Sequence, residues 1–192
     1  MNKTDFKVLV AEDDDIVRDV IVKFLTDEGY SVVVAINGHE AIKMLRVEDI
    51  KLVLSDLRMP GADGMEVLRA SMRVNPNIAV VIITAYGTLD TALEAMNEGA
   101  YDYIVKPFVM QQLLLVVRNA FKMAMLMEEN NMMADQLKET HRKLESIKSD
   151  SVQNTVITAP FEDNDDEFTN KSDGNVESIK KYNSLVNGLK IK

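Results

Sequence analysis

Five short apolar runs alternate, along the first 125 residues, with segments whose apolar positions recur at helical spacing. The runs are Phe6–Ala11, Ser31–Ile36, Leu52–Ser55, Ile78–Thr84 and Tyr101–Val105, each rich in Val, Ile or Leu. Runs this continuously apolar predict strands of a parallel sheet covered on both faces. Between them, Ile16–Glu28, Gly38–Val47, Gly64–Val74 and Thr88–Asn97 read as amphipathic helices. Val17, Val20, Ile21, Phe24 and Leu25 form one apolar stripe, and Ala41, Met44 and Leu45 another. Gly29 and Gly99 stand where a glycine ends a helix. Five strand-then-helix units in so short a span predict a doubly wound α/β fold. Ligands of such a sheet bind beyond the carboxyl ends of its strands.

The fifth helical segment does not stop near residue 122, where the last unit would end. From Gln111 to about Lys148 no Gly or Pro interrupts it, and its Met, Leu, Glu, Lys and Gln are good helix formers. A heptad frame places Met123, Asn130, Leu137 and Leu144 at a positions and Leu126, Met133, Thr140 and Ile147 at d positions. Asn130 at an a position favours a parallel dimer in fixed register, so residues 123–147 are a candidate homodimer contact. Two features oppose this. Lys143 and Lys148 fall at g and the following e, where they repel across a parallel pair, and few heptads make a marginal coil. A solvated helix is the competing expectation.

The chain therefore divides into an α/β domain over 5–122, a helical extension over 123–148, and an acidic linker with a low-order tail over 149–192. Asp163, Asp165, Asp166 and Glu167 cluster in the linker. The stretch Val176–Lys192 carries an apolar stripe (Val176, Ile179, Tyr182, Leu185, Val186, Leu189) that either docks on a partner or on the domain itself, or has chance periodicity in a disordered tail.

Composition narrows the chemistry. The 192 residues contain no cysteine, which excludes a disulfide scaffold, thiolate metal sites and cysteine catalysis. No apolar run reaches the roughly 18–20 residues of a membrane span, and Met1-Asn2-Lys3-Thr4-Asp5 does not read as a signal peptide. The expectation is a soluble cytoplasmic protein without membrane contact. The net charge of −9 disfavours nucleic acid as a direct partner.

Chemistry-bearing residues collect at the predicted strand ends. Glu12-Asp13-Asp14-Asp15 follows the first strand, Asp56 the third, Thr84-Ala85 the fourth and Lys106-Pro107-Phe108 the fifth. In this fold the four places converge, which would bring acids, a hydroxyl and an ammonium into one cleft. Clustered carboxylates repel and call for a cation. Oxygen-only ligands with room for water suit Mg²⁺. A divalent ion beside a lysine suits a phosphoryl group, with one carboxylate as a nucleophile forming an acyl phosphate.

On these motifs, over about residues 5–122, the sequence resembles the receiver domain of two-component response regulators. The resemblance implies a flavodoxin-like sheet of order 2-1-3-4-5. It implies that Glu12 and Asp13 are the acidic pair, Asp56 the phosphoacceptor, Thr84 the switch hydroxyl, Lys106 the phosphate-binding lysine and Tyr103 the aromatic switch residue. It further implies Mg²⁺ bound by Asp13, Asp56 and the backbone carbonyl of Arg58, with Glu12 holding a metal-bound water. A cis Lys106–Pro107 bond would aim the lysine. Arg58 and Tyr86 would flank the path of hydrolytic water. The donor would be a sensor histidine kinase or a phosphotransfer protein, and the output protein–protein contact, since no Walker A loop or helix-turn-helix segment is legible.

Two other readings stand beside this one. A Mg²⁺-dependent phosphatase with an aspartyl nucleophile places a second acid two residues past it, where this chain has Arg58. A DNA regulator acting through the long helix needs a basic region, but Asn119–Asn131 sets Lys122 against Glu128 and Glu129. Simpler roles are available for several residues. Asp15 is expected to cap the first helix, and His39 and His141 to be surface residues outside the cleft.

Overall fold

Strand residues alternate between the two faces of a sheet, so five fully apolar strands need helices on both sides. The computed structural model describes residues 2–153, with side chains through residue 147, and it has that architecture. The elements are β1 (Lys7–Ala11), α1 (Asp15–Asp27), β2 (Ser31–Ala35), α2 (Gly38–Val47), β3 (Ile50–Asp56), α3 (Gly64–Val74), β4 (Ala79–Thr84), α4 (Leu89–Asn97), β5 (Asp102–Val105) and α5 (Met110–Gln153). All strand pairs are parallel, in the order β2-β1-β3-β4-β5. Each predicted run and helical segment thus has its element, with ends that agree to within two residues except at the end of α5.

The two faces carry separate cores. On one, Ile21 and Leu25 of α1 and Leu113 and Val117 of α5 pack over Val8, Val10, Leu52, Leu54, Val81 and Ile83. On the other, Ala41, Leu45, Val67, Leu68 and Ala95 from α2, α3 and α4 cover Leu9, Val53, Val80 and Ile82. Each fully buried Leu, Ile or Val contributes about 1.5–3 kcal/mol through removal from water. Beyond the amino ends of the strands, Phe6, Tyr30 and Phe121 meet edge to face at 5.3–6.1 Å, which fixes α5 to the sheet just before it runs on.

Gly29 and Gly99 end α1 and α4 with φ of 90° and 97°, as their positions predict. The predicted cap of α1 is corrected. Asp14 has extended backbone and its carboxylate accepts from the N–H groups of Ile16 and Val17, making it the N-cap. Asp15 already lies within the helix and pairs with Arg18 instead. Helix α5 continues to Gln153, past the expected end near Lys148, so the first residues assigned to the linker are helical. The rest of the expected linker and tail lies outside the described residues. The chain up to Leu144 forms one compact unit, and the end of α5, from Glu145 to Gln153, belongs to a second. No described helix is long and apolar enough to cross a membrane.

The chain leaving β3 turns into α3 with no room for a side chain at Gly64. A Cβ there would meet the carbonyl oxygen of Asp56, and would lie 2.9 Å from the Leu57 Cα. The Gly64 N–H donates to the Leu57 carbonyl at 2.9 Å, closing the turn. Gly64→Ala is therefore expected to cost about 1–3 kcal/mol, the range for overpacking. In urea unfolding the midpoint should fall with an unchanged slope; an unaltered midpoint would show that this turn has slack.

Candidate functional site

Strand order decides which side chains can meet. β1 and β3 are neighbours, in register from Val8↔Leu52 to Ala11↔Ser55, so the next residues, Glu12 just after β1 and Asp56 at the end of β3, emerge side by side. Asp13 comes next along the β1–α1 loop. One carboxylate oxygen from each of Glu12, Asp13 and Asp56 lies within 4.8 Å of the others. Glu12 is buried, Asp56 partly so, and Asp13 is exposed.

Lys106, following β5, reaches over this group. Its Nζ donates to Glu12 Oε2 at 2.7 Å and to Asp56 Oδ2 at 3.1 Å. The Lys106 N–H donates to the Thr84 carbonyl at 2.7 Å, and Lys106–Pro107 is cis, as expected. The Arg58 N–H approaches Asp56 Oδ1 at 3.4 Å, so the backbone after the aspartate folds back against it. Its guanidinium lies 4.2 Å from the centre of the exposed Tyr86 ring, and the two residues form a stack at the rim of the cleft.

Three carboxylates against one ammonium leave the cleft negative. A pair of like charges about 4.8 Å apart repels by on the order of 3 kcal/mol at an effective dielectric of 20. Burial pushes the Glu12 carboxyl above the ordinary range and the Asp56 charge adds to this, outweighing the lowering effect of Lys106. For Lys106 burial works downward, but its hydrogen bonds and charge interactions with Glu12 and Asp56 win and hold its pKa above that of a free lysine. The one ammonium does not balance the cleft, and its donors are carboxylate oxygens at mutual distances a small hard cation can bridge. That is the donor set of Mg²⁺.

The two predicted switch residues occupy different places. Thr84, wholly buried at the end of β4, accepts from the Tyr86 N–H at 3.1 Å, so its hydroxyl is engaged with its own loop. Tyr103 on β5 is partly buried and its hydroxyl lies 2.9 Å from Thr91 Oγ1. Thr91 itself belongs to the capping box at the start of α4, exchanging hydrogen bonds with Thr88. His39 and His141 are exposed, as expected.

Three contributors escaped the sequence reading. Arg18, buried on α1, donates to the Glu12 carbonyl at 2.9 Å and holds the β1–α1 loop from behind. Thr91 anchors the Tyr103 hydroxyl, and Gly64 lets the chain turn beneath Asp56. None stands in a motif. A buried arginine inside an amphipathic helix reads from sequence as a solvated charge, and the Tyr103–Thr91 contact joins residues on different elements.

Residues 8–118 match the family model described as the response regulator receiver domain. The chain belongs to that family. The receiver is 38% identical over 128 residues to the transcriptional regulatory protein ZraR of Klebsiella oxytoca, covering 67% of this chain and 29% of that protein. It is 42% identical over 115 residues to the response regulator protein FleR of Pseudomonas aeruginosa, covering 59% and 24%. Among solved structures, a response regulator receiver domain protein from Clostridium thermocellum superposes with a TM-score of 0.60 at 33% identity, over 64% of this chain and 98% of that one. The chain spans about a quarter of the length of the curated relatives it matches. The likeness thus covers the α/β domain and the start of the long helix.

The raised Glu12 pKa has a signed consequence. A carboxyl shifted upward by folding binds its proton more tightly in the folded chain than in the unfolded one. Ionised Glu12 therefore opposes stability, and the penalty is relieved as pH falls through the raised value. In metal-free buffer the wild-type receiver should gain on Glu12→Gln in unfolding free energy between neutral and mildly acidic pH. A difference that stays flat with pH would mean that Lys106 fully offsets the burial.

Proposed function

We propose that the chain is a phosphorylation-switched signalling protein whose Asp56 accepts a phosphoryl group from a histidine kinase or phosphotransfer protein. The observation that carries this reading is the Lys106 ammonium held on both Glu12 and Asp56 over a three-carboxylate cleft. An Asp56 oxygen forms a P–O bond as the P–N bond of a phosphohistidine, or the P–O bond of a small acyl phosphate, breaks, and the leaving group takes the bonding pair. Glu12, Asp13, Asp56 and the Arg58 carbonyl would hold Mg²⁺, which when bound offsets the carboxylate charge and that of the transferring group. Lys106, released in part from the carboxylates, pairs with the phosphoryl oxygens.

To donate its proton to a phosphoryl oxygen, the Thr84 hydroxyl would swing away from the loop whose Tyr86 N–H it accepts from. Tyr103 then moves in its turn, and its tie to Thr91 carries that movement to the start of α4. A local charge change is thereby converted to a change of surface. Arg58 at the second position past the nucleophile, stacked on Tyr86, supplies no carboxyl there as a general acid, which favours signalling over phosphatase turnover.

A second reading has its own support. One relative is named a transcriptional regulatory protein, and the receiver matches 29% of its length, so a role in gene control through DNA contact is the alternative output. Salt-dependent binding of duplex DNA by the chain would favour it.

Acetyl phosphate should label wild-type protein and add about 80 daltons, the mass of one phosphoryl group, with Asp56→Asn unlabelled. Labelling that survives this substitution would move the acceptor elsewhere. Mg²⁺ in hundredfold excess over its Kd should stabilise the chain by about 2.7 kcal/mol. Asp13→Asn should abolish most of that gain, and an undiminished gain in the variant would place the ion at another site. Lys106→Ala should keep Mg²⁺ binding but uncouple labelling from any change in partner binding; a preserved partner response would remove Lys106 from the switch.

A further inference from the structure

Leu126, Met133, Leu137 and Leu144 are 56, 57, 72 and 51% exposed. Together with Asn130 and Thr140 they recur at three- and four-residue spacing and so share one face of α5. At about 100° per residue, this stripe lies roughly opposite the side on which Ala124, Met127, Asn131 and Asp135 line clefts with Lys51 and Asn77. The stripe therefore points away from the helix's own receiver. A contiguous apolar face of this kind marks an interaction surface.

We infer that this face binds a second copy of the chain, and that the two helices run antiparallel about an axis near Asp135. In that arrangement Leu126 packs with Leu144 of the partner, Met133 with Leu137, and Asn130 with Thr140. Apolar residues meet apolar ones, and the two polar positions meet each other. The hydrogen bonding within the helix makes the polar layer specific. Thr140 Oγ1 already donates to the Gln136 carbonyl at 2.8 Å, so across the interface it can only accept. The Asn130 amide supplies the donor. Charge follows the same pairing, because Glu129 flanks the stripe on the side where the partner's Lys143 falls.

Parallel pairing sets Asn130 against Asn130 but uses the other residues badly. Thr140 would face Thr140 with both hydroxyl protons already committed, acceptor against acceptor, and Glu129 would lie across from Ala134 with no opposite charge. The antiparallel register is the one in which both polar layers and the charged flank are matched. Between copies it sets the two receivers at opposite ends of the shared helical segment.

The chain has no cysteine, so single-cysteine variants of the full chain report orientation directly. Gln136 lies beside the proposed axis, and Gln136→Cys should form a disulfide-linked dimer under mild oxidation. Asn130→Cys, which meets its own copy only in a parallel pair, should stay uncrosslinked. Sedimentation should find the wild-type chain dimeric and Leu137→Glu monomeric, with helical content by circular dichroism retained because Leu137 is exposed. Any other crosslinking pattern, or a wild-type chain that is monomeric at every concentration, would overturn the inference.

Discussion

The Lys106 ammonium, shared between Glu12 and Asp56, is the contact around which the receiver is arranged. It links the ends of β1, β3 and β5, three strands that span four places in the sheet order. Without a cation at that point, buried Glu12 would face Asp56 and Asp13 in a low-dielectric cleft, a configuration that strongly favours uptake of a proton or an ion. The lysine relieves part of this repulsion and leaves the remainder available to a metal. The same excess negative charge that costs folded-state stability suits the cleft to a divalent cation.

The sheet supplies the precision such a cleft requires. Each chemical residue ends or directly follows a strand anchored in the core, so Glu12, Asp56, Thr84 and Lys106 inherit their positions from β1, β3, β4 and β5. Two contacts then tighten the loops. Arg18 grips the Glu12 carbonyl from α1, and the absence of a side chain at Gly64 lets the Asp56 carbonyl lie against the start of α3. Adjustment is left to the rim, where Arg58 and Tyr86 stack, and to the Thr84 hydroxyl, buried beneath it and held by one backbone N–H. That division between a rigid base and an adjustable rim suits a site whose state is read elsewhere in the domain.

Outside the receiver the physics changes. α5 is buried on the sheet through Leu113, Val117 and Ala120 and is anchored by Phe121 and the half-buried Ala124, after which its described apolar residues are exposed. Propensity and tertiary contacts together sustain the first part, whereas beyond Phe121 intrahelical pairs such as Lys138–Asp135 and Arg142–Glu139 contribute only tenths of a kcal/mol each. A helical extension without a packed face is marginal in water on propensity alone.

Period alone made the strands and helices legible, because a parallel sheet buried on both faces demands uninterrupted apolar runs and a surface helix demands a stripe. Motifs placed after those runs made Glu12, Asp13, Asp56, Thr84 and Lys106 legible, since topology brings strand ends together whatever the loop details. The cap of α1 was misjudged by one residue, because adjacent aspartates have equal propensity and only backbone geometry chooses between Asp14 and Asp15. Arg18 and Thr91 were invisible because their roles consist of contacts across elements. The sequence by itself determined the layers, the strand count and the identity of the acids. Tertiary structure alone decided the distances within the cleft, the partner of each hydroxyl and the burial that raises Glu12, because those depend on which side chains meet across the sheet and on how much water they exclude.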